Sequence, residues 1–183
     1  MTLVTPTHDR PVAFALCEKY MARQTVQPDR WIVIDDGVEP VKCTLGQEHI
    51  RLPTIDSPRE SFRRNWLTGL RMAMGFILCI EDDDWYRSDY LEQMAAMLEQ
   101  RPLVGESRAK FYNVRHRMFM VHPKRQHASL CQTGIGNKEI RDAAITVLNN
   151  DRRPETLDGG LWRRSRIPPD AKLLRPASTL CVG

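Results

Sequence analysis

The sequence predicts an α/β protein whose central, mainly parallel sheet is flanked by crossover helices. Three observations carry this. Short apolar or β-branched runs, Leu3 to Thr5, WIVI at 31–34 and Phe76 to Ile80, have the character of buried strands. Segments with apolar residues at i, i+3, i+4 and i+7 follow them as helices. Each strand-like run also leads straight into a polar loop: PTHDR, DDG and EDDD. Strand–helix alternation sets the strands side by side and parallel. In such sheets ligands bind beyond the carboxyl ends of the strands, so these three loops are expected to line one crevice.

The first strand, Leu3 to Thr5, is expected to stop at Pro6. Pro11 suits the first turn of a helix, whose apolar face is Ala13, Leu16, Cys17 and Tyr20. Gln27-Pro28 ends that segment, and WIVI runs into the turn Asp35-Asp36-Gly37. A short strand is expected over His49 to Leu52 and a loop over Pro53 to Pro58. Phe62, Trp66, Leu70 and Ala73 form the next helical stripe, ended by Gly75. After the strand Phe76 to Ile80, Ser88 is placed to cap a helix with the face Leu91, Met94, Ala95 and Leu98. Beyond Arg101 the pattern loosens. Lys110 to Val121 reads as one or two antiparallel strands, and Ile140, Ala143, Ala144 and Val147 as a helix face. Asp151 to Pro154 reads as a loop, Leu157 to Trp162 as a short helix and Ser178 to Val182 as a strand. Gly134 to Lys138 reads as a flexible loop, too incomplete for a phosphate-binding glycine motif.

Length and composition set the bounds. A chain of 183 residues suits one domain, or one domain with a small appendage, and 42% hydrophobic content supports a real core and excludes a disordered chain. The longest nearly apolar run, Met72 to Ile80, falls far short of the ~20 residues a bilayer-spanning helix needs. The chain opens at once on TLVT without a charged-then-apolar leader, so cytoplasmic residence is expected. Five cysteines, an odd number without a CxxC pair, suggest neither a disulfide framework nor a zinc knuckle. His116, His122 and His127 lack zinc spacing. A net charge of +4 suits an anionic substrate or nucleic acid without choosing between them.

Glu81, Asp82, Asp83 and Asp84 stand directly behind a buried-type strand, where carboxylates repel one another. Hard oxygen donors at this spacing suit a divalent cation such as Mg²⁺ or Mn²⁺ that is shared with substrate phosphates. The competing reading is an exposed acidic turn that caps the next helix. Bland readings exist elsewhere too. Thr7 and Asp9 can act as helix caps, Asp35-Asp36-Gly37 as a simple turn, and Arg63 and Arg64 as a solvated helix face.

Taken in order, these pieces resemble the family-two glycosyltransferases of the GT-A fold. PTHDR resembles that family's opening Pro-Thr-Tyr-Asn-Arg loop, and WIVIDDG its second strand with the acidic pair. FRRN followed by GLRMAMGFILCIEDDDWYRSDYL resembles its Arg-Asn helix, third strand and Asp-x-Asp metal motif. The resemblance covers roughly residues 1 to 100 and implies a single GT-A, Rossmann-like domain with a small antiparallel extension in its second half. Residues 1–100 would form the nucleotide-sugar-binding half and residues 101–183 the acceptor side. The departures are His8 for the usual Tyr, Glu81 where Asp is common, and a helix about two residues longer after Asn65.

The resemblance implies a role for each matched residue. Pro6, Thr7 and His8 would edge the base and ribose of a nucleotide-diphospho-sugar. Asp36, with Asp35, would accept hydrogen bonds from base or ribose, and Arg64 would reach towards base or phosphates. Asp82 and Asp84 would hold Mn²⁺ or Mg²⁺, with Asp83 a close competitor. TLDGGLWRR resembles the family's late acidic motif and puts Asp158 in the position of the general base, ahead of Asp151 and Asp142. The Glu that usually precedes it is Leu157 here, and the late metal-binding His of many members has no counterpart after Asp158. The implied reaction is inverting sugar transfer to an acceptor hydroxyl. The rival readings are a nucleotidyltransferase, a nucleic-acid-binding module using Arg152, Arg153, Arg163, Arg164 and Arg166, and an enzyme that glycosylates modified DNA bases.

Overall fold

The computed structural model describes residues 1–123, 126–150, 157–164, 166–176 and 179–183. The elements in chain order are β1 (Thr2–Thr7), α1 (Pro11–Ala22), β2 (Arg30–Asp35), β3 (Glu48–Arg51), α2 (Pro58–Met72), β4 (Ile77–Cys79), β5 (Trp85–Tyr86) and α3 (Tyr90–Leu98). They continue with β6 (Leu103–Ser107), β7 (Lys110–Asn113), β8 (Met118–Val121), β9 (Ala128–Ile135), α4 (Lys138–Asn150), α5 (Leu157–Gly159), β10 (Lys172–Pro176) and β11 (Cys181–Val182). A wide π-type turn over Gly160–Arg164 prolongs α5.

Seven strands form one sheet in the order β10-β6-β9-β4-β1-β2-β3. The pairs β4–β1, β1–β2, β2–β3 and β10–β6 are parallel, and β9 runs antiparallel to both its neighbours. A second, small sheet has the order β5-β11-β7-β8. The α/β class, the mainly parallel sheet and the small extension, with its β7–β8 hairpin, are thus as expected.

Alternation along the strands divides the core between the two sheet faces. Val4, Ile32 and Ile34 pack on one side with Trp66 and Leu70 of α2, Ile140 and Ala144 of α4, and Trp162. Leu3, Trp31 and Val33 face the other side, with Phe14 and Met21 of α1 and Tyr90, Leu91 and Met94 of α3. Both faces are covered, which is why the strands read as continuous apolar runs. Among the described residues no helix is long and apolar enough to cross a membrane.

Several expectations are corrected. Pro6 does not stop β1. The β4 ladder along β1 ends where the Ile80 N–H donates to the Val4 carbonyl, so a residue without an N–H fits beyond it. On α1 the buried residues are Phe14, Cys17, Glu18 and Met21, while Leu16 is exposed. Apolar residues lie on every side of this helix, and the larger Phe14 and Met21 take the core. Glu18 is buried because it accepts from the Thr44 N–H and hydroxyl and from the Gln47 amide. Ser88 is not a cap. Asp89 stands at the N-terminus of α3, and the Gln24 side chain accepts the Leu91 N–H.

Four strands lacked a signal: the two-residue β5, and β6, β9 and β10. Gly134 and Ile135, expected in a flexible loop, end β9 in the middle of the main sheet. Their strand was hidden by interleaved polar residues that are nonetheless buried. Gln132 donates to the Cys181 carbonyl, and Thr133 accepts from Trp162 Nε1. The loop expected over Asp151 to Pro154 lies outside the described residues, as does Ser178 at the start of the last expected strand.

Helix α2 crosses β1 at Gly69, where an added Cβ would run into Val4 Cγ1. Gly69→Ala gains about 1 kcal/mol of helix propensity. Overpacking a fully buried β1 side chain costs roughly 1–3 kcal/mol. Urea denaturation is therefore expected to show Gly69→Ala destabilised on balance; a stabilised variant would mean that α2 does not approach the sheet this closely.

Candidate active site

The parallel order β4-β1-β2 brings three loops to one sheet edge, because register sets Thr7 beside Asp35 and Val4 beside Cys79. All three expected segments meet there. A cleft of about 300 Å³ is lined by Pro6, Thr7, His8 and Arg10 from the first loop, Phe62 and Asn65 from α2, and Asp82 and Asp83 from the third.

Asp36 is fully buried at the base of this cleft. Its carboxylate accepts from Asn65 Nδ2 at 2.8 Å, Arg64 Nη2 at 2.8 Å and His8 Nδ1 at 2.9 Å. Burial opposes its ionisation, but hydrogen bonds from Ser61, Asn65 and His8 outweigh this and hold it below the usual carboxylate range. Arg64 also donates to the Pro53 carbonyl, so it is no free surface charge.

Asp35 stands apart from the cleft. Its oxygens accept from the Gly37 and Val41 N–H groups, from His49 Nε2 at 3.0 Å and from Arg51 Nη1 at 2.6 Å. It fastens the loop after β2 to β3, and none of these partners belongs to the first loop. Asp9, also read as a possible helix cap, accepts the Val38 and Glu39 N–H groups instead. Residue 10 occupies the N-terminus of α1 without a side-chain cap bond.

The acidic turn is largely buried, which its charge did not suggest. Asp82 accepts from Thr7 Oγ1 at 2.7 Å and Arg10 Nη1 at 3.2 Å, and the more exposed Asp83 accepts from Arg10 at 2.7 Å. Glu81 accepts the Cys131 N–H at 3.1 Å. Asp84 is 7% exposed, and its Oδ2 is buried with no hydrogen-bond partner. Burial, followed by repulsion from Asp84 and Asp83, pushes Glu81 up to about 8. Burial, with Asp83 and Asp82 adding to it against the Cys131 thiol, pushes Asp84 up to about 7. Asp82 is raised as well, chiefly by burial. Arg10 is the one arginine that touches this turn among the described ion pairs, and its place in the first loop was its only sequence signal.

Two further clefts open nearby, of which the first reaches the acidic turn. One of about 430 Å³ is lined by Leu16 and Tyr20 of α1, Asp84, Trp85, Tyr112 and Val114. The other, about 200 Å³, contains Asp158 with His122, His127 and Ser129. Asp158 therefore lies outside the cleft lined by Thr7, His8 and Asp82, although close enough to Glu81 for its charge to raise that carboxyl. Its Oδ1 accepts the Gly159 N–H, and its Oδ2 lies 3.7 Å from His127 Nε2. Of the weaker base candidates, Asp142 pairs with Lys138 on the outside of α4, and Asp151 lies outside the described residues. Of the late arginines, Arg152 and Arg153 also lie outside them, while Arg163 and Arg166 are exposed.

Sheet order, strand-end cleft and acidic turn define a protein of the GT-A fold class. The chain belongs to glycosyl transferase family 2, whose model matches residues 2–145. No curated protein matches it significantly. Among solved structures, residues 1–349 of S. aureus TarS in complex with UDP superpose with a TM-score of 0.66 at 13% identity. The match covers 100% of this chain and 59% of that one. The TarS complex with UDP-GlcNAc gives a TM-score of 0.63 at 12% identity, covering 100% of this chain and 57% of that one. The mannosyltransferase PcManGT from Pyrobaculum calidifontis, in complex with GDP-Man and Mn²⁺, gives 0.60 at 10% identity, covering 100% and 56%. The chain thus spans under two thirds of the length of these structures.

Asp35 carries a measurable pH signature. Burial opposes its ionisation, but the Val41 and Gly37 N–H groups, Arg51 and His49 together hold it below its ordinary value of 3.8. Its stabilising contribution is complete above that value and is lost as pH falls through the lower, folded-state one. Asp35→Asn is expected to cost about 2–3 kcal/mol at neutral pH by leaving buried donors unsatisfied. Denaturation series from pH 7 to pH 2 should show a shallower acid limb in the variant; superimposable limbs would refute the assignment.

Proposed function

We propose that the chain is the catalytic core of a metal-dependent glycosyltransferase. It moves a sugar from a nucleotide-diphospho-sugar to an acceptor hydroxyl with inversion. The observation that carries this reading is one cleft walled by the loops after β1 and β4, with Asp36 of the loop after β2 bonded to His8 and Asn65 in its wall and buried carboxyls in the acidic turn. Family membership and the sugar nucleotides in the TarS and PcManGT structures support it. No observation among the described residues favours the nucleotidyltransferase or nucleic-acid readings.

Pro6, Thr7 and His8 edge the base and ribose. Asp36 is too deeply buried to meet them directly, so it orients His8 and Asn65, which line the cleft, and anchors Arg64 beside it. Asp35 supports the same edge by fixing the loop after β2. The acidic turn suits a divalent cation: Asp84 presents a buried oxygen that no protein group satisfies, and Glu81, Asp82 and Asp84 all resist ionisation. Held by Asp82 and Asp84, with Asp83 alongside, Mn²⁺ or Mg²⁺ would bind diphosphate oxygens and offset the charge on the departing nucleotide. Thr7 and Arg10 keep Asp82 in place. Asp158, on the far side of Glu81, accepts the acceptor's proton, with His127 beside it. Residues 1–100 thus serve the donor and residues 101–183 the acceptor. All five cysteines are free thiols, which suits the reducing cytoplasm.

UDP or GDP with Mn²⁺ is expected to raise the melting temperature, read by thermal shift across a panel of nucleotides and sugar nucleotides. No metal-dependent stabilisation by any of them, with Mn²⁺ or Mg²⁺, would overturn the reading. Asp84→Asn should melt higher than the parent without metal, because a buried unpaired carboxyl is removed, and should lose the metal-dependent rise. Asp158→Asn should bind nucleotide as the parent does yet transfer sugar roughly 10²–10⁴-fold more slowly; an unchanged rate would remove Asp158 as the base.

A further inference from the structure

We propose that Asp84, Cys131 and Cys181 form a second, thiophilic metal site behind the acidic turn, taking Zn²⁺ or a Cd²⁺-like ion. The three residues come from the turn after β4, from β9 and from β11, and all are buried. One ligand atom of each lies within 4.8 Å of the other two. In a tetrahedral site with Zn–S near 2.3 Å, donor atoms stand roughly 3.6–3.8 Å apart. Closing on an ion thus asks the most distant pair to move by about 1 Å or less.

Paired buried thiols are ordinarily small core residues. Two observations set this pair apart. Its third member is a carboxylate with a buried, unsatisfied oxygen. The backbones that carry the sulfurs are also held on both sides. The Cys131 carbonyl accepts from the Tyr90 hydroxyl at 2.7 Å, its N–H donates to Glu81, and the Cys181 carbonyl accepts from Gln132 at 3.2 Å. The 430 Å³ cleft reaches Asp84 beside Val182 and Gly183, the residues that follow Cys181 in the chain.

Donor chemistry separates this site from the one proposed for Mn²⁺ or Mg²⁺. Thiolates select Zn²⁺ and its soft relatives, whereas carboxylates and phosphates select the hard ions. When the ion binds, two metal–sulfur bonds form, the two S–H bonds break and two protons leave to solvent. Asp84 belongs to both sets, so a soft ion bound here withdraws it from the diphosphate side. The inference rests on the proposed role of Asp84 only for that competition, not for binding.

Co²⁺ alone, without nucleotide, is the probe. One equivalent added to the reduced protein is expected to give a near-ultraviolet thiolate-to-cobalt charge-transfer band and the strong visible bands of a four-coordinate ion. Cys43→Ser, a half-buried thiol away from the site, should keep both. Cys131→Ser and Cys181→Ser should each lose the charge-transfer intensity. Asp84→Asn keeps both sulfurs and relieves rather than adds strain; it should bind Co²⁺ at least about tenfold more weakly. This variant decides the matter if the serine variants fail to fold. A weak six-coordinate spectrum, a charge-transfer band that survives in both serine variants, or unchanged Co²⁺ affinity in Asp84→Asn would each overturn the proposal. None of these readings involves UDP or GDP, so failure here leaves the sugar-transfer reading standing, and a failed nucleotide screen leaves the cobalt result standing.

Discussion

The site is governed by charge that has been taken out of water. β4 is buried on both faces, as is Ile80 directly after it, so the residues that follow start beneath the surface. Placing four carboxyls there sets burial and mutual repulsion against ionisation, and the raised Glu81, Asp82 and Asp84 record that conflict. The surroundings relieve it only in part. Thr7 and Arg10 reach Asp82 from the neighbouring strand end, and the Cys131 N–H reaches Glu81 from β9. β1, β4 and β9 must therefore be adjacent for the turn to exist in this form, and the sheet order provides that adjacency.

The same constraint explains the different treatment of the two aspartates after β2. Asp35 and Asp36 are both fully buried, yet both are held below the usual carboxylate range. Each accepts several well-placed donors, and hydrogen bonds to an ion outweigh its desolvation when there are enough of them. Asp84 has no such set. Two kinds of buried acid thus stand at the ends of β2 and β4, on either side of β1: one satisfied by protein and structural, the other with an oxygen left unsatisfied.

Much of the first half was legible in the sequence because its strands are buried on both faces and its loops fall at their carboxyl ends. WIVI, Phe76 to Ile80 and the Phe62–Trp66–Leu70 stripe needed only periodicity. The ordered loops PTHDR, DDG and EDDD gave the crevice its position before any contact was known. What was not legible depends on contacts distant in sequence. The face of α1 could not be chosen because apolar residues surround it, and only Thr44 and Gln47 explain a buried Glu18. β9 carries Gln132, which donates to Glu106 and to the Cys181 carbonyl on other strands, and Thr133, which accepts from Trp162 in the turn after α5, so it imitates a loop. The distinct tasks of Asp35 and Asp36 are likewise invisible in the pair itself. Asp158 stood out through its local motif, but its place in a separate cleft from Asp82 and Asp83 depends on contacts distant in sequence.

The bond from Asp9 to the loop after β2 has a mechanical meaning. Asp9 sits in the left-handed region at φ 50°, which a short polar side chain tolerates, and its carboxylate clasps the Val38 and Glu39 amides. A Cβ on Gly37 would stand 2.7 Å from the Asp9 nitrogen, so the two lips touch backbone to backbone. Neither lip can swing open alone. Much of the conformational entropy that a guest would otherwise remove from these segments is already surrendered when the chain folds, and association is correspondingly closer to docking into a rigid mould.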